Sequence, residues 1–352
     1  MGITITGTGS YIPQEVTTNK DFENHNFYNE DGTSFSNENS VIIEKFKAIT
    51  GISERRYAQK KYTTSDIAAF AAQNAIDYAK IDAETIDYII VAHNYGDVRY
   101  GGVQSDTVPS IASRVKSILK IKNSSCVAYD MIFGCPGWVE SMIQANAFIK
   151  AGIAKRCLVI GAETLSRVTD PHDRDSMIYS DGAGAVIIEH TEDTTGIITH
   201  ASATHAIDEA NFIYFGKSNN IEDRQARRYI KMNGRKIYNF ALTHVPNAMK
   251  NCLDASGYGI NDLKKILIHQ ANEKMDEAIV KRFYGLYDMD APKDIMPMTI
   301  NTLGNSSVAT VPTLYDLIIN NKLEGHQIKK GDLIMFASVG AGMNINAMVY
   351  KA

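Results

Sequence analysis

The sequence predicts an α/β fold built in layers, and three observations lead there. Short apolar runs alternate with longer stretches of helical periodicity along the whole chain. The second half repeats the grammar of the first. Ile86-Asp87-Tyr88-Ile89-Ile90-Val91 lines up with Leu263-Lys264-Lys265-Ile266-Leu267-Ile268, and Leu333-Ile334-Met335-Phe336-Ala337 is similar in pattern to residues 158–162. Finally, 352 residues suffice for one large domain or two of ordinary size. The expectation is an internal duplication, residues 1–190 and 191–352, with the boundary near 188–198.

Taken in order, residues 3–6 alternate as a strand, and Gly7-Thr8-Gly9-Ser10 reads as a turn out of it. Residues 20–44 are polar and read as a surface excursion, with helical character over 41–48. Thr64 or Ser65 caps an amphipathic helix over 66–80, with Ile67, Phe70, Ala71, Ala75 and Tyr78 as its apolar positions. Residues 86–91 form a buried strand. Residues 93–107 are long, glycine-bearing and aromatic, the marks of a functional loop. A helix over 109–119, a strand at 126–129 and a helix over 139–150 follow. Residues 157–163 are another buried strand, and Asp181-Gly182-Ala183-Gly184 leads into one at 185–189. In the second half, a helix covers 234–256, a strand ends at Ile268, a helix covers 308–319 and a strand covers 333–337.

Hydrophobic content of 44% and charge of 22% are those of a soluble globular protein. A net charge of −4 argues against non-specific nucleic-acid binding but leaves room for a local basic patch. No apolar run is long enough to span a bilayer, and the first residues carry no basic leader. The four cysteines, Cys126, Cys135, Cys157 and Cys252, form no C-x-x-C pair. A reducing cytoplasm is the simple reading.

Cys135 lies between two glycines and a proline in Phe133-Gly134-Cys135-Pro136-Gly137, after a strand and before a helix. Pro136 fits the first helical turn, where its missing N–H is not needed. Cys135 then faces the positive end of a helix dipole, which stabilises a thiolate and makes a nucleophile. A small buried hydrophobe is the competing reading. His269 directly follows a buried strand, at the usual edge for α/β active sites, and a structural histidine fits there too. Asn305, in Leu303-Gly304-Asn305-Ser306-Ser307, precedes a helix, where asparagine is commonly a cap. Ser338-Val339-Gly340-Ala341-Gly342 follows a strand and either offers N–H groups to an anion or simply turns.

Together and in this order, these stretches resemble the thiolase superfamily, and within it the β-ketoacyl-acyl-carrier-protein synthase III family. The resemblance runs nearly end to end. It takes in Gly7-Thr8-Gly9-Ser10-Tyr11-Ile12-Pro13, Thr50-Gly51-Ile52-Ser53-Glu54-Arg55-Arg56, Asp181-Gly182-Ala183-Gly184-Ala185, His269-Gln270-Ala271-Asn272 and Gly304-Asn305. It implies a five-layered αβαβα arrangement of two similar halves with the active site between them, in a homodimer. It implies a Cys135-His269-Asn305 site. Cys135 would take an acyl group from acyl-CoA or acyl-ACP, with the oxyanion held by the N–H groups of Cys135 and Ala341 in the Gly340-Ala341-Gly342 loop. His269 and Asn305 would donate to the thioester carbonyl of malonyl-ACP or malonyl-CoA while CO2 leaves. No metal or redox cofactor is implied. By the same resemblance Phe133 packs on the acyl chain or fills core, and Arg174 lies near the CoA adenine or is a solvated surface charge. Lys274, Lys281 and Arg282 form the patch that docks an acidic carrier protein, or a plain solvated helix face.

The chain departs from the family in three ways. Lys45 and Ile49 stand where typical members carry a tryptophan and an arginine near the CoA nucleotide. The stretches 23–40 and 95–106 are longer than usual. Val108 stands where a bulkier aromatic residue shapes the partner's acyl pocket, which would admit a longer or branched chain. A specialised lipid or polyketide enzyme is therefore weighed beside fatty-acid initiation. So are a non-decarboxylating condensation, with Glu163 a candidate base, acyl transfer to an alcohol or amine, and a non-catalytic carrier-binding partner.

Overall fold

In the computed structural model, which describes residues 2–193, 195–223 and 227–352, the first strand does not turn at its glycines. β1 (Gly2–Tyr11) runs straight through them, with one register slip between Ile5 and Gly7. A Cβ on Gly7 would lie 2.5 Å from the carbonyl oxygen of Ala75, and one on Gly9 2.4 Å from its nitrogen. These glycines let a helix press onto the strand; that is why their turn-like composition misleads.

β2 (Glu15–Thr18) pairs with β3 (Glu54–Tyr57) outside the main sheets. Between them lies α1 (Asn39–Thr50), which begins inside the polar excursion, runs beyond it and is slightly longer than expected. Next comes α2 (Thr64–Ala79), whose cap is Thr63: its N–H and hydroxyl both donate to Asp66. Thr64 and Ser65 are buried and spend their hydroxyls on Thr164 and Asp97. The first half continues with β4 (Tyr88–Ala92), α3 (Ile111–Ile118), β5 (Val127–Met131), α4 (Gly137–Lys150), β6 (Arg156–Thr164) and β7 (Asp181–Thr191). β7 includes the Asp181–Gly184 segment expected to precede it, since these residues pair with the end of β6; Gly184 is a glycine that admits Pro312, 2.7 Å from where its Cβ would sit.

The second half holds β8 (Gly196–Thr204), β9 (Ile213–Gly216), β10 (Tyr229–Met232), α5 (Gly234–Ser256), β11 (Leu263–Ile268), α6 (Glu273–Gly285), α7 (Ile300–Leu303), α8 (Thr310–Ile319), β12 (Leu333–Gly340) and β13 (Asn344–Lys351). β9 and β10 form a separate two-stranded ribbon.

One sheet has the order β1-β7-β6-β4-β5 and the other β11-β12-β13-β8. In the first, β4–β6 is parallel while β6–β7 and β7–β1 are antiparallel. The second repeats this: β11–β12 is parallel, β12–β13 and β13–β8 antiparallel. α2 and α3 cover the outer face of the first sheet, α4 and α8 lie between the sheets, and α5 covers the outer face of the second with α6 packed on it. The five layers are therefore α, β, α, β, α. Strand β6 shows why its sequence reads as continuously apolar: Leu158, Ile160 and Ala162 face the outer core, while Cys157 and Val159 face the inner one. No helix among the described residues is long and apolar enough to cross a membrane.

Candidate active site

Cys135 sits in the turn between β5 and α4. Gly134 takes φ 67, the left-handed region open to glycine, and Pro136 is the helix cap at φ −67. From the other sheet, the end of β12 meets this turn main chain to main chain. A Cβ on Gly340 would lie 2.5 Å from the Cys135 nitrogen, and one on Gly134 2.7 Å from the Ala341 nitrogen. Asn344 clamps the junction, its Nδ2 donating to the carbonyls of Ala341 at 2.9 Å and Phe133 at 3.2 Å. Two backbone N–H groups from opposite sheets are thus held at one place by glycines that allow the approach.

His269 follows β11 directly, and its N–H donates to the Ala337 carbonyl at 2.8 Å. Its Nδ1 lies 2.7 Å from Thr310 Oγ1. Asn305 is fixed to the segment before β7: its N–H donates to Ile178 and its carbonyl accepts from Ser180. Its Oδ1 accepts from the Ser307 N–H at 2.7 Å, which leaves Nδ2 as its donor. Cys135, His269 and Asn305 line one cavity of about 640 Å3, together with Gly340, Ala341, Asn94 and Ser307. Most of the remaining wall is apolar, including Ile42, Phe46, Leu165, Ile178 and Met275.

Burial sets the protonation states. It pushes the Cys135 thiol up to about 11, opposed by a hydrogen bond from Ser307 and reinforced by Glu163. It pushes His269 down to about 4, opposed by the Ser307 backbone. At rest the pair is therefore thiol and neutral imidazole. Burial thus opposes the thiolate that the N-terminus of α4 would favour. Ser307 Oγ donates to Cys135 Sγ at 3.2 Å and accepts from Asn94 Nδ2 at 3.0 Å. Asn94 in turn donates to Glu163, whose carboxyl burial raises to about 8.

The remaining expected residues scatter. Gly340 and Ala341 line the cavity; Gly342 and Phe133 do not. Val108 is 86% exposed and lies outside this chain's own cavity. Arg174 lines the outer end, half exposed, with its guanidinium 5.2 Å over the Phe35 ring and 3.7 Å from Asp175. Lys45 and Ile49 line that end too and are exposed. Lys274, Lys281 and Arg282 are all exposed on α6, and Arg282 also donates to the Leu242 carbonyl of α5 at 3.0 Å. Glu163 does not line the cavity, and its Oε1 accepts from Asn94. Among the described residues, no group of three His, Cys, Asp or Glu is arranged to hold a metal ion.

Sequence reasoning assigned no role to Asn94, Ser307, Thr310 or Phe35. An acid inside the apolar run 157–163 was the one available signal that a buried polar network lay behind the site.

Comparison with known proteins places these features in context. The family model described as 3-oxoacyl-[acyl-carrier-protein (ACP)] synthase III matches residues 129–206, and that of its C-terminal part matches residues 253–352. A beta-ketoacyl-[acyl-carrier-protein] synthase III 1 of Vibrio vulnificus is 34% identical over 343 residues, 96% of either chain. A beta-ketoacyl-[acyl-carrier-protein] synthase III of Staphylococcus haemolyticus is 31% identical, covering 100% of this chain and 99% of its own. The crystal structure of 3-oxoacyl-[acyl-carrier-protein] synthase III from Aquifex aeolicus superposes with TM-score 0.82 at 29% identity, over 100% of both chains.

Proposed function

This chain belongs to the 3-oxoacyl-[acyl-carrier-protein] synthase III family, and on that premise we propose how its cavity carries out a decarboxylating condensation. The enzyme is an acyltransferase with the thiolase-like layered fold. Cys135 Sγ attacks the carbonyl of an acyl thioester. The carbonyl oxygen becomes an oxyanion between the N–H groups of Cys135 and Ala341, donors fixed before substrate binds. Collapse expels the leaving thiol, which takes up the proton given up by Sγ, and leaves acyl-Cys135. A malonyl thioester then enters. His269 and Asn305 Nδ2 donate to its thioester carbonyl, and CO2 leaves with the charge held on that oxygen as an enolate. The enolate carbon attacks acyl-Cys135, the C–Sγ bond breaks, and the β-ketoacyl thioester departs. Two half-reactions on one thiol give ping-pong kinetics. No step uses a metal or redox cofactor.

A neutral imidazole donates into the cavity only from the nitrogen that bears its proton. Thr310 donates its one hydroxyl hydrogen to the Ser307 carbonyl at 2.9 Å, and His269 Nδ1 lies 2.7 Å from the same oxygen. A turn of that hydroxyl from the Ser307 carbonyl to Nδ1 would put the imidazole proton on Nε2, the tautomer the reaction needs.

One observation carries this reading: Cys135, His269 and Asn305, far apart in sequence, line the same cavity at the junction of the two sheets. The test is incubation with a panel of acyl-CoA and acyl-ACP thioesters, reading the adduct mass on Cys135, followed by labelled malonyl thioester. Acyl-Cys135 and matched release of labelled CO2 support it. Product without CO2 favours the non-decarboxylating route or transfer to an alcohol or amine; no adduct in wild type favours a non-catalytic partner. The burial of Glu163 behind Asn94 argues against the non-decarboxylating route with that base.

The finer assignments complete the reading. Lys274 and Lys281 offer the acidic carrier a docking face, and the exposed Val108 serves a second copy's pocket in a homodimer. The apolar walls suit an aliphatic acyl chain, in fatty-acid initiation or a specialised lipid or polyketide route. The protein works in the cytoplasm, as a duplication of two halves divided near residues 188–198.

A further inference from the structure

Ser307 stands where the three reacting groups meet. Its hydroxyl donates to Cys135 Sγ at 3.2 Å, and its N–H donates to Asn305 Oδ1 at 2.7 Å. Its carbonyl lies 2.9 Å from Thr310 Oγ1, the hydroxyl beside His269 Nδ1. The residue holds φ 53, a left-handed conformation that a side chain opposes and glycine adopts freely. Strain of this kind gathers where local geometry is put to use.

The direction of the hydroxyl is fixed from behind. Glu163 Oε1 accepts from Asn94 twice, from its backbone N–H at 2.8 Å and from Nδ2. An oxygen taking two donors is an acceptor whether or not the other oxygen is protonated. Asn94 must therefore turn its NH2 toward Glu163. Its second Nδ2 hydrogen then points at Ser307 Oγ, 3.0 Å away. With Oγ already accepting, its single hydrogen is left for the sulfur.

We propose that Ser307 is a further catalytic residue, the donor that stabilises negative charge on Cys135 Sγ, and that Asn94 and Glu163 are positioning residues that fix the direction of its hydrogen bond. The charge appears twice, as the thiol gives up its proton to attack and when the C–Sγ bond breaks and its electron pair returns to sulfur. No covalent step is added. The inference rests on Cys135 being the nucleophile.

The ionisable groups facing the sulfur and Glu163 are Tyr95, Tyr179, His269 and Asp181. Burial holds both tyrosines above the ordinary range and His269 at about 4, so none of these three titrates near neutral pH. Asp181 is raised by burial and held by hydrogen bonds from Ala58 and Ser166, away from the sulfur.

The test reads the rate of Cys135 alkylation by iodoacetamide against pH, by mass spectrometry, beside the rate of acyl loading. The proteins are wild type, Ser307→Ala, Ser307→Gly, Asn94→Ala, Glu163→Ala and Glu163→Gln. Glycine removes the hydroxyl while relieving the backbone, so it separates a lost donor from a damaged fold. Both Ser307 variants should move the alkylation midpoint up by about one pH unit and slow loading about tenfold at neutral pH. Asn94→Ala and Glu163→Ala should shift it the same way by less, and Glu163→Gln, which keeps the accepting oxygen, should restore it. Normal loading in wild type, with unchanged profiles in both Ser307 variants, would overturn the proposal alone. No loading in wild type would instead overturn the assignment of Cys135.

Discussion

At the floor of the cavity two loops from different sheets touch backbone to backbone, and Ser307, Asn94, Thr310 and Asn344 hold the groups around the sulfur by hydrogen bonds. At the mouth, Lys45 and Ile49 on α1 and the Arg174–Phe35 pair are side chains standing half in solvent. The floor tolerates no extra atom; the mouth can exchange whole side chains. Chemistry is thus held by main chain, and the choice of thioester is left to groups that can change without disturbing it.

The comparison breaks most sharply at the sulfur. Cys135→Ala should lose the acyl adduct entirely and cut condensation by roughly 10^3-fold or more, measured by product formation. Gly340→Ala should come next. Its Cβ would press on the Cys135 nitrogen at 2.5 Å, costing about 10^2-fold in kcat by disturbing the oxyanion donors. The same crowding should cost about 1–3 kcal/mol in stability, read by chemical denaturation. If Gly340→Ala were neutral, the floor would be softer than the distances say.

A third measurement sharpens the contrast through pH. Glu163, beneath the floor, has its pKa raised from 4.5 to about 8. The folded state binds that proton more tightly, so its contribution is full below pH 4.5 and lost as pH rises through about 8. His269 is lowered from 6.5 to about 4, so its contribution is full above pH 6.5 and lost as pH falls through about 4. Glu163→Gln should flatten the fall in Tm on the alkaline side, and His269→Gln the fall on the acid side. At the mouth, by contrast, Lys45→Ala or Arg174→Ala should change the KM for acyl-CoA only a few-fold, since exposed charge contacts are worth about 0–1 kcal/mol. Charge reversal at Lys274 and Lys281 should raise the KM for carrier protein several-fold, less so at high salt.

The same division explains what could be read in advance. Cys135, His269 and Asn305 were legible only together, through the order of their motifs and the family these resemble; each alone fitted a structural role as well. Ser307 and Asn94 were not, because their work depends on three segments that meet only in space. Gly7 and Gly9 were mistaken for a turn because glycine also marks close approach, and here it admits α2. The α2 cap was misplaced by one or two residues because the hydroxyls of Thr64 and Ser65 are taken by partners far along the chain. Phe35 lies in a polar stretch with no periodicity to flag it, yet it borders the cavity.

The helix that follows Cys135 packs against strands of both sheets, β4, β6 and β7 on one side and β8, β12 and β13 on the other. No smaller working unit can therefore be cut from the protein. A nascent chain has its sulfur but not the Ala341 N–H beside it until the last strands dock, so the oxyanion site is completed only at the end of the chain.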